Sequence, residues 1–103
     1  MSEDNQIVYV VDDDAAVRSS LALLLKSVSL AVDTCESAGQ FLAKVAPQAA
    51  GCLVLDIRMP GMSGLELQQQ LKQRGYGMPI IFITGHGDVP MAVEAMQAGA
   101  VDF

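Results

Sequence analysis

Three aspartates stand at positions where their carboxylates could act together. Asp12 and Asp13 directly follow the apolar run 7–11, and Asp56 ends a second apolar run, 52–55. Short apolar runs bounded by glycine or acidic residues are typical of strands buried on both faces of a parallel sheet. The carboxyl ends of such strands form the edge at which α/β proteins bind ligands. We therefore predict that the three carboxylates converge at one edge of a sheet.

Crowded carboxylates repel one another, so they either raise their pKa values or hold a hard cation. Mg2+ takes one or two carboxylates and completes its shell with water and phosphate oxygens. An aspartate can also attack phosphorus and form an aspartyl phosphate. Of the three, only Asp56 combines a buried strand end with a loop, 57–61, that can wrap a phosphoryl group. The pattern predicts Mg2+-dependent phosphoryl chemistry with Asp56 as the sole acceptor.

Several nearby polar residues have a second interpretation. Asp56 could merely cap a turn. Asp14 is better placed to cap a helix than to bind a ligand. Thr84 could donate its hydroxyl to a phosphoryl oxygen, or it could be an ordinary β-branched strand end. His86 could move a proton, although a histidine flanked by glycines is more often passive. The helix after Asp14 has one predicted apolar face, formed by Val17, Leu21, Leu24, Leu25 and Val28.

Strand patterns alternate with helical patterns along the whole chain. Ser37 with Gln40 and Ser63 with Glu66 are capping-box starts for two of the helices. Such alternation predicts βαβ units and a parallel sheet with right-handed crossovers. We predict one α/β domain over 1–103, a flavodoxin-like doubly wound parallel sheet of order 2-1-3-4-5, with the fifth strand incomplete and the last helix absent. The predicted strands are 7–11, 30–35, 52–56, 79–84 and the start of a fifth at 101–103.

Composition narrows the classes of partner. Six Lys+Arg against twelve Asp+Glu give a net charge of -6, which disfavours a nucleic-acid surface in this segment. The apolar runs are too short to span a membrane, and the polar, acidic N-terminus is unlike a signal peptide, so we expect a cytoplasmic protein. Cys35 and Cys52 lack metal-ligand spacing and are expected to be reduced core thiols.

Three motifs together are highly specific. They are Val-Val-Asp-Asp-Asp at 10–14, Leu-Asp-Ile-Arg-Met-Pro-Gly-Met-Ser-Gly at 55–64, and Ile-Thr-Gly-His-Gly-Asp at 83–88. With them the chain resembles a response-regulator receiver domain of a two-component system over nearly all of its length. The run 83–93 is similar to the FixJ/NarL-type subgroup, whose full-length members carry a C-terminal DNA-binding domain. The resemblance implies a receiver truncated before the end of its fifth strand, with transcriptional output from a domain absent here.

The resemblance also implies roles for single residues. Asp56 would accept phosphate from a sensor histidine kinase, in a signalling domain that performs self-phosphotransfer rather than enzymatic turnover. Thr84 would be the switch hydroxyl and Phe103 the switch aromatic. The family's lysine just beyond the aromatic position is missing, because the sequence stops at Phe103. The implied Mg2+ ligands are Asp12, Asp13, Asp56 and the backbone carbonyl of Arg58.

Other functions stay open at this point. A phosphorylation-independent interaction module is one alternative. A haloacid-dehalogenase-like phosphatase also uses an aspartate nucleophile and Mg2+. Such enzymes carry the motif Asp-x-Asp, however, and the position two residues after Asp56 is arginine here. A nucleotide-binding domain would need a Gly-rich phosphate loop, which the sequence lacks. Finally, the apolar strand 79–84 would lack a full partner strand, so we expect either self-association through this strand and the following helix or only marginal stability.

Overall fold

The computed structural model describes residues 6–83, in which strands and helices alternate as predicted. Asp14, Ser37 and Ser63 each begin a helix as its N-cap, and their side-chain oxygens accept backbone N–H groups of the first turn. The predicted fourth helix and the start of a fifth strand lie outside the described residues. The elements are β1 (Ile7–Val11), α1 (Ala15–Ser27), β2 (Val32–Cys35), α2 (Ala38–Lys44), β3 (Gly51–Asp56), α3 (Gly64–Gln73) and β4 (Ile80–Ile83).

The four strands form one parallel sheet of order β2-β1-β3-β4. This confirms the predicted order 2-1-3-4, and the position of a fifth strand lies beyond the described part of the chain. β1 and β3 are the two central strands, and their register pairs Val11 with Leu55. Asp12, the residue after β1, and Asp56, the last residue of β3, therefore lie side by side at the same edge of the sheet.

The second strand begins two residues later than predicted. Ser29 adopts a positive φ of 67°, and the Leu30 N–H still donates to the Leu25 carbonyl at 3.1 Å. Ser29 and Leu30 thus complete the turn that leaves α1, and the first hydrogen bond with β1 comes from the Val8 N–H to the Ala31 carbonyl at 2.9 Å. The sequence pattern alone gave no sign of this because Leu30 and Ala31 are apolar like the strand itself.

The main core lies on one face of the sheet, under α2 and α3. The ring of Tyr9 meets Phe41 edge-on at 5.7 Å between centroids, and Tyr76 packs on Phe41 at 6.0 Å. The Tyr76 hydroxyl donates to the Val45 carbonyl and so ties the segment after α3 to the end of α2. The most buried members of this core are Val11, Cys35, Phe41, Leu53, Leu55, Ile57, Leu67, Leu71 and Phe82.

The prediction for the apolar face of α1 is partly wrong. Leu24 and Val28 are 61% and 62% exposed, and α1 has no buried residue. The chain moves from β1 to β2 in one direction across the sheet and from β2 to β3 and β4 in the other. Right-handed crossovers then place α1 on the face opposite α2 and α3. Among the described residues no second helix lies beside α1, and two of the five residues of its predicted apolar face are exposed to solvent.

The prediction for the cysteines has a clear outcome. Both cysteines are free thiols, as predicted; Cys35 is buried and Cys52 is half-buried. Within 6–83 the structure contains no helix that is both long and apolar enough to cross a bilayer.

Candidate functional site

The three aspartates converge at the carboxyl edge of the sheet, as predicted. One ligand oxygen from each of Asp12, Asp13 and Asp56 lies within 4.8 Å of the other two. Asp12 is only 3% exposed, Asp56 is half-buried and Asp13 is exposed. The cluster is therefore anchored in the sheet on one side and open to solvent on the other.

Asp12 is held by backbone groups and by an arginine. Its own N–H donates to the Cys35 carbonyl at 3.1 Å, and its Oδ1 accepts the Asp14 N–H at 2.9 Å. The Arg18 guanidinium donates to the Asp12 carbonyl at 2.7 Å. Burial raises the pKa of Asp12, and Asp13 raises it further, whereas the Asp14 N–H and the Arg18 charge act in the opposite direction.

Arg18 was not among the residues that the sequence indicated. It lies one turn into α1, and side chains on a helix point back toward the N-terminus of that helix. From this position its guanidinium reaches the backbone at the end of β1. In the sequence, the available sign of this contact was that Arg18 lies four residues after the Asp14 cap, about one helical turn from the end of β1.

Asp56 ends β3 and carries the largest electrostatic perturbation among these carboxylates. Burial raises the pKa of Asp56 from its ordinary 3.8 to about 6, and repulsion from Asp12 and Asp13 contributes in the same direction. The Arg58 N–H donates to Asp56 Oδ1 at 3.1 Å and lowers the pKa in part. The ionised side chain is therefore costly at neutral pH, and a cation would relieve that cost.

The loop between β3 and α3 is fixed at both ends. At its start the Ile57 N–H donates to the Ile83 carbonyl at 3.2 Å, and the side chains of Ile57 and Met59 are buried. At its end Ser63 and Glu66 form the predicted capping box, in which each side chain accepts the backbone N–H of the other residue. Gly61 has a positive φ of 78° at the exposed tip. The loop is thus held in place next to Asp56.

Asp14 has the capping role that the sequence favoured. Its Oδ1 accepts the N–H groups of Ala16 and Val17 at 2.9 and 3.3 Å. It is exposed and does not belong to the group of converging carboxylates. Thr84, His86 and Phe103, which the sequence also indicated, lie outside the described residues.

The donor set fits a hard divalent cation. All three groups offer carboxylate oxygens, which Mg2+ prefers to nitrogen or sulfur ligands. Burial, with repulsion from Asp12 and Asp13, raises the pKa of Asp56 to about 6, so a cation bound here would favour its ionised form. A cation at this edge would neutralise the charge and leave room for oxygens from water or phosphate.

Comparison with known proteins agrees with the geometry. The family "Response regulator receiver domain" matches residues 8–103. Response regulator protein TodT from Pseudomonas putida is 54% identical over 103 residues, which are 100% of this chain and 45% of that protein. Transcriptional regulatory protein FixJ from Azorhizobium caulinodans is 58% identical over 96 residues, or 93% of this chain and 46% of that protein.

The solved structures agree as well. The crystal structure of FixJ-N has a TM-score of 0.89 and 53% identity, and the match covers 97% of this chain and 80% of that one. The chain spans about half the length of the curated relatives it matches. The matched sequence, the sheet order and the three converging carboxylates agree in one conclusion: the chain belongs to the family of response regulator receiver domains.

Proposed function

We propose that this receiver domain is a phosphoacceptor that takes a phosphoryl group from a sensor histidine kinase onto Asp56 in a Mg2+-dependent reaction. The observation that carries the proposal is the convergence of three carboxylates within 4.8 Å. Among them Asp12 is buried and Asp13 belongs to no strand. Asp56 alone ends a strand, is partly accessible and is oriented by an N–H of the following loop.

The reaction can be written from the chain's own residues. A carboxylate oxygen of Asp56 attacks the phosphorus of a phosphohistidine, the phosphorus–nitrogen bond breaks, and the imidazole leaves with the electron pair and takes a proton from solvent. Asp12, Asp13, Asp56 and the Arg58 carbonyl would hold Mg2+, which supplies positive charge against the phosphoryl oxygens. In this proposal the Thr84 hydroxyl donates a hydrogen bond to a phosphoryl oxygen, and Phe103 is the aromatic residue that responds to phosphorylation.

The output of the whole protein is also a proposal. Relatives that are named as transcriptional regulators are about twice as long as this chain. We propose that residues 1–103 are the receiver unit of such a regulator, that a separate domain binds DNA, and that the protein works in the cytoplasm. The acidic chain itself, with a net charge of -6, is unsuited to binding nucleic acid.

Self-association is part of the same proposal. In the part of the chain that the structure describes, β4 pairs with one neighbour, β3. Its sequence is Ile-Ile-Phe-Ile, without a charge to discourage pairing. We propose that the face formed by β4 and the residues after it contacts a second copy of the chain. Light scattering over a concentration series, with and without phosphodonor, tests this: a monomer at every concentration would contradict it.

The deciding experiment uses acetyl phosphate as a small phosphodonor. The chain is incubated with it and Mg2+, and intact mass spectrometry measures the gain of one phosphoryl group. We expect no gain for Asp56→Asn and a strongly reduced rate for Asp13→Asn. Asp33→Asn is the matched control, because it removes the same charge at an exposed ion pair with Lys44 and should react normally.

Two outcomes would contradict the proposal. Phosphorylation of Asp56→Asn would place the acceptor elsewhere. A parent chain that takes up no phosphoryl group, from acetyl phosphate or from a phosphorylated kinase, would favour the alternative of a phosphorylation-independent interaction module.

A further inference from the structure

Gly64 begins α3 directly against the backbone of Asp56. A Cβ atom at position 64 would lie 2.3 Å from the Asp56 carbonyl oxygen, 2.8 Å from the Ile57 Cα and 3.1 Å from the Asp56 carbonyl carbon. All three atoms belong to the main chain and cannot rotate away as a flexible side chain could. Gly64 is not one of the glycines with positive φ. Glycine is therefore needed here for space and not for backbone conformation.

This close approach brings together the two ends of the loop that contains Arg58. The Gly64 N–H donates to the Ile57 carbonyl at 3.1 Å, so the first residue of α3 is bonded to the residue after Asp56. Between these two residues the loop places the Arg58 N–H 3.1 Å from Asp56 Oδ1. The distance between α3 and the end of β3 therefore determines where the Arg58 backbone lies relative to the Asp56 carboxylate.

We infer that Gly64 is a positioning residue for phosphoryl transfer at Asp56, an inference that rests on the proposed function. Its missing side chain lets the first turn of α3 hold the Arg58 backbone against the acceptor carboxylate. With alanine, the helix and the strand end must separate by about 1 Å, since ordinary contact with a Cβ begins at 3.4 Å. A misplacement of about 1 Å near reacting groups can reduce a rate about 100-fold.

Gly51 provides a matched control on the same strand. It is the first residue of β3, and a Cβ there would lie 2.0 Å from the Ile7 carbonyl oxygen, with φ at +136°. Gly51→Ala thus introduces a backbone clash, together with strain from the positive φ, at the opposite end of the strand from Asp56. Gly77→Ala is a neutral control, because nothing lies within 4 Å of a Cβ at that position.

The test compares the three variants with the parent chain. Intact mass spectrometry follows phosphorylation by acetyl phosphate at saturating Mg2+, and circular dichroism gives the folded fraction used to normalise each rate. Sucrose is added if a variant is partly unfolded, because an excluded osmolyte favours the folded state. We expect Gly64→Ala to react about 10- to 100-fold more slowly per folded molecule. Gly51→Ala should lose stability but keep its normalised rate, and Gly77→Ala should resemble the parent.

A second measurement does not depend on phosphorylation. The amide resonance of Arg58 in a nitrogen-15 NMR spectrum reports its hydrogen bond to Asp56, and Gly64→Ala should shift it while Gly51→Ala leaves it in place. If Gly64→Ala does not fold even in sucrose, Ser63→Ala replaces it as the variant. That change loosens the start of α3, so it should slow the reaction and shift the same resonance, and Ser63→Asn should restore both because asparagine also caps.

The inference and the proposed function can fail separately. A parent chain that is not phosphorylated would contradict the function, and the Arg58 resonance would still test the role of Gly64. Normalised rates and Arg58 resonances that are unchanged in Gly64→Ala would overturn the inference. An equal slowing in Gly51→Ala would also overturn it, because the effect would then come from general loss of stability.

Discussion

Replacing Asp56 with asparagine should stabilise the protein in the absence of metal. Burial and the neighbouring aspartates raise the pKa of Asp56 from 3.8 to about 6, a difference of about 2 units. Each unit corresponds to about 1.36 kcal/mol between the two protonation states, which gives about 3 kcal/mol against the ionised form. The carboxylate is only half-buried, and water screens part of the repulsion. We therefore expect a gain of about 1 to 2 kcal/mol in the free energy of unfolding.

The size of this effect depends on pH. Above about pH 6 Asp56 is ionised in both the folded and the unfolded chain, so the parent carries the full cost of the ionised side chain. As the pH falls, the folded chain takes up the proton first and the cost disappears, completely so below 3.8. Asparagine resembles the protonated acid and keeps an oxygen that can accept the Arg58 N–H. Its advantage should therefore vanish at about pH 4.

Urea denaturation in the presence of a chelator measures the difference in free energy of unfolding between Asp56→Asn and the parent chain, at neutral pH and again at about pH 4. A gain of 1 kcal/mol corresponds to a melting temperature higher by about 4 to 8 °C in a domain of this size. Asp33→Asn is the control for a simple reduction of net charge, because its ion pair with Lys44 is exposed and contributes little. The reasoning is refuted if Asp56→Asn is no more stable than the parent at neutral pH, or if its advantage persists unchanged in acid.

Three further predictions concern the metal and the core. Mg2+ should raise the melting temperature of the parent chain but not that of Asp13→Asn, and an equal rise in both would remove Asp13 from the ligand set. Calorimetric titration should show weaker Mg2+ binding as the pH falls below about 6, where Asp56 becomes protonated; affinity independent of pH would contradict its role as a ligand. Tyr76→Phe should lower the free energy of unfolding by about 1 kcal/mol through loss of the hydrogen bond to the Val45 carbonyl, and chemical denaturation with no change would show that this bond contributes nothing.

The sequence predicted the convergence of Asp12, Asp13 and Asp56 because two general rules were sufficient. Apolar runs located the strands, and the topology of parallel sheets placed the ends of the first and third strands side by side. The helix cap at Asp14 could also be predicted from the sequence, since capping depends on a few consecutive residues. The exposure of Leu24 and Val28 could not be predicted, because periodicity shows which residues share a face but not what covers that face.

The roles of Arg18 and Gly64 could not be predicted from the sequence, for a different reason. The role of Arg18 depends on where its guanidinium ends relative to the Asp12 carbonyl, and that of Gly64 depends on the 2.3 Å between a hypothetical Cβ and the Asp56 carbonyl. Both are distances between elements that are far apart in sequence or separated by a turn. A pattern of residue types contains no such distances, so the structure was required to find them.

The position of the site on the two central strands has a consequence for local unfolding. β1 and β3 each pair with a strand on both sides, whereas β2 lies at an edge. Native proteins open in parts, and the interior of a sheet exchanges its amide hydrogens last, at a cost near that of global unfolding. Asp12 and Asp56 extend from these two strands, so the distance between their main chains should survive fluctuations that detach β2 or loosen α1, although Asp12 would then lose its hydrogen bonds with Cys35 and Arg18. Partly opened forms of the molecule would then keep these two aspartates at neighbouring strand ends, and separation of β1 from β3 would be needed to part them.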